Sequence, residues 1–523
     1  MLATLLSATL NGIAGRLVRV EVDVAPGLPG FTIVGLPDAA LSEARERVRG
    51  ALRNAGFHHP PRRITVNLAP AELRKAGASL DLAIALGILL GSEQLRTGPG
   101  RVGLIGELGL GGEVRPVPGI LPMCLAMARH GVRRVLVPAE AEPEAGLAPG
   151  LVPVPVATVA EAADVLRAPR SRRAMPSPLP RAGEGTPVGV GPAATATPAT
   201  EHEDVVDLAD VRGQVVARRA LEIALAGGHA LLFIGPPGAG KTLLARTIPA
   251  LLPDLDDDAA LTATVVASVA GAPVTRLVRR PPVRAPHHTT SYAGMVGGGP
   301  RMSPGEVSLA HEGVLFLGEL PEFGRDVLEA LRQPLEDGSV SVVRVGRAET
   351  FPARFTLVAA MNPCPCGQYG SADRTCTCPP YVPERYQRRV SGPLRDRFDL
   401  WVDVDRVPPA VLVGPASPEP SAVVAARIAT ARTRQQARTP GRSNARVRGR
   451  ELRALCALDD RARARAIRLA ELEGLSGRGT ERLLRVARTI ADLDGSDAVG
   501  SAHLDEAARF RAPVDRLALG RAS

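Results

Sequence analysis

Hydrophobic and polar positions change rhythm twice along this chain. Residues 16–24, RLVRVEVDV, alternate apolar and polar, and FTIVGL (31–36) and RRITVNL (62–68) continue the same pattern. Such alternation marks a strand with one buried face, because successive side chains point to opposite sides. SEARERVRGALRNAG (42–56) and LDLAIALGILLG (80–91) carry the denser spacing of helices. The mixture predicts an α/β sandwich at the N-terminal end. Beyond residue 205 the strands read differently. ALLFIG (230–235), GVLFL (313–317) and RFTLVAAMN (354–362) are short continuous apolar runs, the pattern of strands covered on both faces. Helical stretches such as LADVRGQVVARRALEIALAGG (208–228) and GRDVLEALRQPLED (324–337) separate them, and this rhythm predicts a parallel sheet. DGSVSVVRVGRAETFPARF (337–355) alternates again, as a β-hairpin with Val345, Gly346 and Arg347 near its tip. From about residue 406 the chain turns helical.

Residues 169–204 interrupt these patterns with seven Pro and four Gly and almost no bulky apolar residue. Such a stretch cannot build a core and reads as a mobile linker. Four segments follow: an N-terminal domain over 1–168, the linker over 169–204, a core domain over 205–405 and a helical domain over 406–523. A chain of 523 residues is long enough for that many cores. No apolar run approaches the ~18 residues of a membrane span. The opening MLATLLSATLNGIAG has neither a basic n-region nor a small-residue cleavage site, so the expected address is the cytoplasm.

The net charge is +10, and of 64 basic residues two are lysine, Lys75 and Lys241. Where nearly every cation is an arginine, a lysine marks a place that needs a compact ammonium. The charge is uneven as well, since residues 427–453 hold nine Arg against one acid. That is either a solvated helical face or a polyanion-binding surface.

GPPGAGKT fits the phosphate-loop pattern G-x-x-x-x-G-K-[ST], with a strand before it and TLLARTIPALL after it. In Gly235, Pro236, Pro237, Gly238, Ala239, Gly240, Lys241 and Thr242 the glycines let backbone N–H groups approach the phosphates of ATP. Lys241 reaches the β and γ oxygens and the Thr242 hydroxyl ligates Mg2+. HEGVLFLGEL (311–320) is then the second strand of a nucleotide-hydrolysing site, ending in Glu319, which polarises the attacking water. Two acids usually close such a strand; here Gly318 stands where the first would anchor the metal. The strand TLVAAMN ends in Asn362, a polar tip able to orient the water, and GPLRDRFDL offers Arg397 as a finger directed at a neighbouring subunit's γ-phosphate. LSGRGTERLLRVARTIADL starts a helix with Arg478 and Arg482 in its first turns, suited to sense the same phosphate from a lid. In this order behind a P-loop, the set describes an AAA+ ATPase that works as a ring.

Directly after Asn362, within 362–380, come Cys364, Cys366, Cys376 and Cys378, four of the six cysteines. Two C-x-C pairs around a loop can supply a closed tetrahedral thiolate site for structural Zn2+; disulfides are disfavoured in a reducing compartment. Cys124 and Cys456 read as ordinary buried thiols. In an AAA+ ring a hairpin just before the Asn362 strand points into the central pore, where Arg344 and Arg347 would meet polynucleotide. His287 and His288, in APHHTTSYAGMVGGG, read as loop-positioning residues.

With these residues in view, the chain resembles the ComM/YifB family of Mg-chelatase-like AAA+ proteins. The resemblance rests on LSATLNGIAGRLVRVEVDVAPGLPGFTIVGLPDAA, VNLAPAELRKAG, GPPGAGKT, PHHTT, NPCPCG, SGPLRDRFDL and ARTIADL, and it spans nearly everything but the linker. It implies a Lon-protease-like N-terminal domain (an S5 domain 2-like fold), an AAA+ core with helix-2 and pre-sensor hairpin inserts, and a helical lid. It also implies a homo-hexameric, ATP-driven DNA helicase that promotes branch migration of single-stranded or branched DNA during natural transformation. Ser79, in KAGASLD, falls where Lon-type proteases carry their nucleophile. The position of the required lysine base is Leu121, and no lysine lies between Lys75 and Lys241, so proteolysis is not expected. Two other functions stay open on the sequence: a chelatase-type motor driving a partner enzyme, and a nucleotide-gated scaffold, to which Gly318 points.

Overall fold

The computed structural model describes residues 1–36, 38, 41, 43–73, 75, 77–96, 101–167, 205–299, 302–344, 347–371, 374–414 and 419–511. The linker expected over 169–204 lies outside the described residues. The chain divides into two units, Met1–Thr200 with Thr264–Leu277, and Glu201–Ala263 with Val278–Ser523.

The N-terminal unit is built on strands β1 (Leu2–Asn11), β2 (Ala14–Ala25), β3 (Gly30–Val34), β4 (Arg63–Ala69), β5 (Val102–Leu104), β6 (Arg134–Pro138) and β7 (Val152–Val156). They form one seven-stranded mixed sheet in the order β3-β4-β2-β1-β5-β6-β7. The alternation read from the sequence sets its register: Leu5, Val20 and Leu68 pair in one row across β1, β2 and β4, and all three are buried. Helix α1 (Ala44–Asn54) buries one stripe, whereas α2 (Asp81–Gly91) is buried at every position, as a helix apolar all round must be. Asp81, at the start of α2, takes a bidentate ion pair from Arg47 of α1 at 2.7 and 3.1 Å, which satisfies a carboxylate with no exposure. Ser79 is buried and its hydroxyl donates to the Ala8 carbonyl at 3.0 Å.

The second unit holds strands β8 (Leu231–Ile234), β9 (Val283–Arg284), β10 (Val314–Leu317), β11 (Ser339–Arg344), β12 (Arg347–Pro352), β13 (Thr356–Met361) and β14 (Leu400–Asp403). Five of them make a parallel sheet in the order β9-β10-β13-β8-β14. β10 and β13 are buried along their whole length, as their continuous apolar runs require. β11 and β12 form the antiparallel hairpin, with Arg344 opposite Arg347; residues 345 and 346 and the side chains of both arginines lie outside the described part.

The helices of this unit include α3 (Val215–Gly227), α4 (Lys241–Arg246), α5 (Ser421–Arg438), α6 (Gly449–Cys456), α7 (Asp460–Leu472), α8 (Gly477–Leu493) and α9 (Ser501–Arg509). The segment TLLARTIPALL is interrupted: α4 ends at Arg246 and a short turn of helix resumes at Ile248, because Pro249 cannot supply an N–H to a continuous helix. Phe233 of β8, Val358 of β13 and Leu483, Ala487 and Ile490 of α8 belong to one apolar core, so the arginine-rich helices share their interior with the sheet. Removing a side chain such as the fully buried Phe233 from that core costs about 3–5 kcal/mol. Among the described residues no helix is long and apolar enough to cross a membrane.

Candidate functional site

Parallel pairing brings the site to one edge of the sheet. Ile234 pairs with Met361 and Leu317 with Ala359, so the chain leaves β8 at Gly235, β10 at Gly318 and β13 at Asn362 side by side. Ligand sites of open parallel sheets lie at these carboxyl ends. From β8 the chain makes the loop Gly235–Gly240 and enters α4 at Lys241. Gly238 and Gly240 have φ of 78° and 95°, a conformation that turns backbone N–H groups into the loop and that a residue with a Cβ resists. Lys241 Nζ donates to the carbonyls of Gly235 at 2.7 Å and Pro236 at 2.9 Å, and to Asn362 Oδ1 at 3.1 Å. Burial pushes this ammonium down to about 8, against the opposing pull of Glu319. Thr242 is exposed at the next position.

Glu319 lies two residues beyond β10 in a left-handed conformation, with φ of 55°. Its carboxylate is largely exposed, and His288 Nδ1 lies 3.4 Å from Oε2. The His288 ring packs against His287, 4.1 Å between centroids, and edge-on to Phe323. His288 reaches this place because β9 pairs in parallel with β10 and the chain leaves both strands on the same side. The paired histidines were legible as a loop feature, but their contact with the acid depends on strand order. At Gly318 an added Cβ would meet two ring carbons of Phe316 at 3.4 and 3.8 Å. The position accepts a side chain.

Arg397, Arg478 and Arg482 lie near one another. Arg397 follows a short helix over Gly392–Arg395 and pairs with Glu336. Burial first, then the charges of Arg478, Arg332, Arg448 and Arg482, lower its pKa from the usual arginine value, which is the electrostatic mark of crowded guanidinium groups. Arg478 and Arg482 lie in the first turns of α8, whose N-cap Ser476 accepts from the Gly479 N–H. Arg482 donates to the Phe398 carbonyl at 3.3 Å and lies 3.9 Å from Asp396. Arg397 pairs with Glu336, and Arg482 with Asp396 and the Phe398 carbonyl, whereas Lys241 bonds to the loop and Asn362.

The P-loop is held from outside as well. Gln214 donates from Nε2 to the carbonyls of Ala239 at 3.0 Å and Asp405 at 2.6 Å, and Arg406 donates to the Pro237 carbonyl at 3.4 Å. These contacts were not legible in the sequence, where Gln214 and Arg406 carry no motif.

Cys364, Cys366, Cys376 and Cys378 converge, with all four Sγ atoms within 4.8 Å of one another. The Sγ separations are 3.4 Å for 364–366, 3.7 Å for 364–376 and 3.5 Å for 366–376. A tetrahedron of thiolates around zinc, with bonds of about 2.3 Å, has edges of roughly 3.8 Å, so the four thiols fit such an ion. The Tyr369 N–H points at Cys364 Sγ at 3.3 Å. Backbone N–H groups of Gln368 and Thr377 hold the Cys366 thiol down at about 5. Cys124 and Cys456 are free and buried, and burial pushes the Cys456 thiol up to about 12.

A strand, a glycine-rich loop closed by Lys241 and two further strand tips define a P-loop protein of the Mg-chelatase AAA+ class. Residues 207–412 match the family profile of magnesium chelatase subunit ChlI, residues 20–141 a second ChlI profile and residues 418–511 the ChlI C-terminal profile. Within that class the chain belongs to the ComM/YifB family. It is 43% identical to the uncharacterized protein YifB of Escherichia coli over 516 residues, 97% of this chain and 96% of that protein. It is 41% identical to the competence protein ComM of Haemophilus influenzae over 520 residues, 99% and 98% of the two chains. A 168-residue stretch is 29% identical to a Lon protease of Salinispora arenicola, covering 30% of this chain and 21% of that protein.

Proposed function

We propose that this protein is an ATP-hydrolysing ring motor that acts on DNA as a helicase or branch-migration enzyme, built as a homo-hexamer in the cytoplasm. The observations that carry the reading are two clusters: Lys241 bonded to Asn362 with Glu319 acting on its charge at the sheet edge, and Arg397 crowded by Arg478 and Arg482 at the start of α8. A cluster of crowded arginines suits the γ-phosphate of a neighbouring subunit, and in that role hydrolysis is a property of the ring. The P-loop binds ATP, Thr242 takes Mg2+, Glu319 polarises water and Asn362 orients it. The hairpin of β11 and β12 carries Arg344 and Arg347 towards DNA, and the net charge of +10 favours a polyanionic partner. Cys364, Cys366, Cys376 and Cys378 hold one structural zinc ion. A relative named as a competence protein supports a role in the integration of transforming DNA. Proteolysis finds no support: the Ser79 hydroxyl is buried against the Ala8 carbonyl and Leu121 is no base.

Gly318 favours a second reading, a nucleotide-gated scaffold with weak hydrolysis. A chelatase-type motor driving a partner enzyme remains the third, supported by the family match alone. ATPase rate measured with and without single-stranded and forked DNA separates them. Stimulation by DNA together with strand displacement supports the motor. Turnover indifferent to DNA overturns it in favour of the chelatase type, and nucleotide binding without turnover in favour of the scaffold.

A further inference from the structure

The four-thiol insert and the P-loop touch. Gly367, just after the second cysteine, has φ of 77°, and a Cβ built on it would stand 2.2 Å from Cδ and 2.7 Å from Cγ of Pro237. The backbone of the cysteine knuckle therefore lies directly on the ring of a P-loop residue. The same segment starts at Asn362, whose Oδ1 accepts from Lys241 at 3.1 Å. The insert thus meets the P-loop at two points, one on the loop's proline and one on its lysine. Between them the chain is folded tightly: the Gly367 N–H donates to the Cys364 carbonyl at 2.9 Å, the Tyr369 N–H to Cys364 Sγ at 3.3 Å, and Gln387 Nε2 to the Pro363 carbonyl at 2.8 Å. Among the described residues of 363–380, Pro363, Cys364 and Gly367 are the buried ones, so the converging sulfurs are the main tie across this knuckle.

We propose that the Cys364, Cys366, Cys376 and Cys378 site is a metal-dependent brace for the P-loop: with zinc on the four thiolates the knuckle holds Pro237 and Lys241 in place, and without it nucleotide affinity falls. This rests on the reading of the cluster as a zinc site and of the P-loop as a nucleotide site. Closed thiolate sites contribute folding free energy to the segment that carries them. Here that segment is only a few bonds from the phosphate-binding lysine.

The test compares wild type, Cys376→Ser with Cys378→Ser, Gly367→Ala and Gly370→Ala in the full chain. Zinc per chain is read by elemental analysis, and affinity by titration with a fluorescent ADP analogue. The double cysteine variant should lose zinc and bind the analogue about tenfold or more weakly, the scale of one charge-assisted hydrogen bond. Gly367→Ala should keep zinc and lose affinity to a similar degree, because its methyl group displaces Pro237. Gly370→Ala is the control: its φ of 76° is equally left-handed, but an added Cβ meets nothing within 4 Å. It should keep both zinc and affinity. Unchanged affinity in a zinc-free, folded cysteine variant overturns the proposal, and so does Gly367→Ala binding as tightly as Gly370→Ala. If wild type carries no zinc, the metal reading fails on its own, while the two glycine variants still decide whether the knuckle braces the loop. If no protein in the set binds the analogue, the P-loop reading fails instead.

Discussion

The ammonium of Lys241 donates to the side-chain oxygen of Asn362 at 3.1 Å, tying the P-loop to the tip of β13. Because burial holds that ammonium near 8, its charge is lost within an accessible pH range. A bound triphosphate adds negative charge beside it and raises its pKa again, so binding takes up a proton. ATP affinity should be flat below pH 8 and fall by roughly tenfold per pH unit above it. In the unliganded protein the sign is opposite. Between about pH 8 and the ordinary lysine value the unfolded chain binds more protons, so this group makes stability rise with pH. Calorimetric titration at pH 8.5 in two buffers of different ionisation enthalpy measures the proton uptake directly. An affinity that stays constant to pH 9.5 would contradict it.

Arg397, Arg478 and Arg482 crowd together near Glu336, Asp396 and the Phe398 carbonyl. If they serve a neighbour, Arg397→Ala should bind ATP with near-normal affinity and hydrolyse it about a thousandfold more slowly. Mixing it with Lys241→Ala should restore part of the turnover, since some interfaces then combine an intact P-loop with an intact arginine. Rings shown to contain both variants yet giving no recovery would place the arginine's action within its own subunit.

The P-loop, the strand ending in Glu319 and the hairpin were legible because each is a contiguous stretch whose spacing carries its own meaning. Four close-set cysteines likewise announced a cluster before their sulfurs were seen to converge. What stayed hidden were contacts made by the order of strands in the sheet. His288 meets Glu319 only because β9 lies next to β10, and Gly367 meets Pro237 only because β13 lies next to β8. The grouping of Arg397 with Arg478 was similarly invisible: both were singled out, but their neighbourhood depends on how α8 packs on the core it shares with β8 and β13. Local pattern specifies elements; long-range packing specifies which of them touch.

Between the sheet and α8 runs a buried polar chain. His229 sits 3.1 Å from Asp399 and 2.8 Å from Thr489, and Asp399 also pairs with Arg485 at 3.3 Å. Asp399 follows Arg397 by two residues, and Thr489 and Arg485 belong to α8. His229→Ala leaves a buried carboxylate short of a partner and should cost about 3–5 kcal/mol of stability. Urea unfolding measures this. A loss below about 1 kcal/mol would mean that water replaces the imidazole and that the network does not hold α8 to the sheet.

DNA binding should weaken steeply with salt, because each neutralised phosphate releases counterions. Arg344→Ala with Arg347→Ala is expected to leave basal ATP hydrolysis intact and to remove its stimulation by forked DNA. The logarithm of affinity against the logarithm of salt should flatten by about one to two units. Full stimulation and unwinding in this double variant would assign DNA contact to another surface, for which the arginine-rich helices beyond residue 406 are the next candidate.

The last expectation concerns Gly318. Glu319 sits in a left-handed backbone with His288 Nδ1 3.4 Å from its Oε2, and in the proposed mechanism it is the acid that polarises water. The adjacent position has no carboxylate to anchor magnesium through its water shell, and loss of such a partner typically costs ~10–100-fold in metal affinity or activity. Hydrolysis should therefore be slow and should need high magnesium, whereas nucleotide binding stays intact. Gly318→Asp is a fair test because the site has room: the new Cβ would meet only the Phe316 ring, at ordinary contact distance. Magnesium titrations of both proteins with DNA present should shift to lower concentration in the Asp variant, with turnover at low magnesium rising about tenfold or more. If the variant is no faster there, the position does not serve the metal. If neither protein turns over at any magnesium concentration, this chain is a nucleotide-gated scaffold and not a motor.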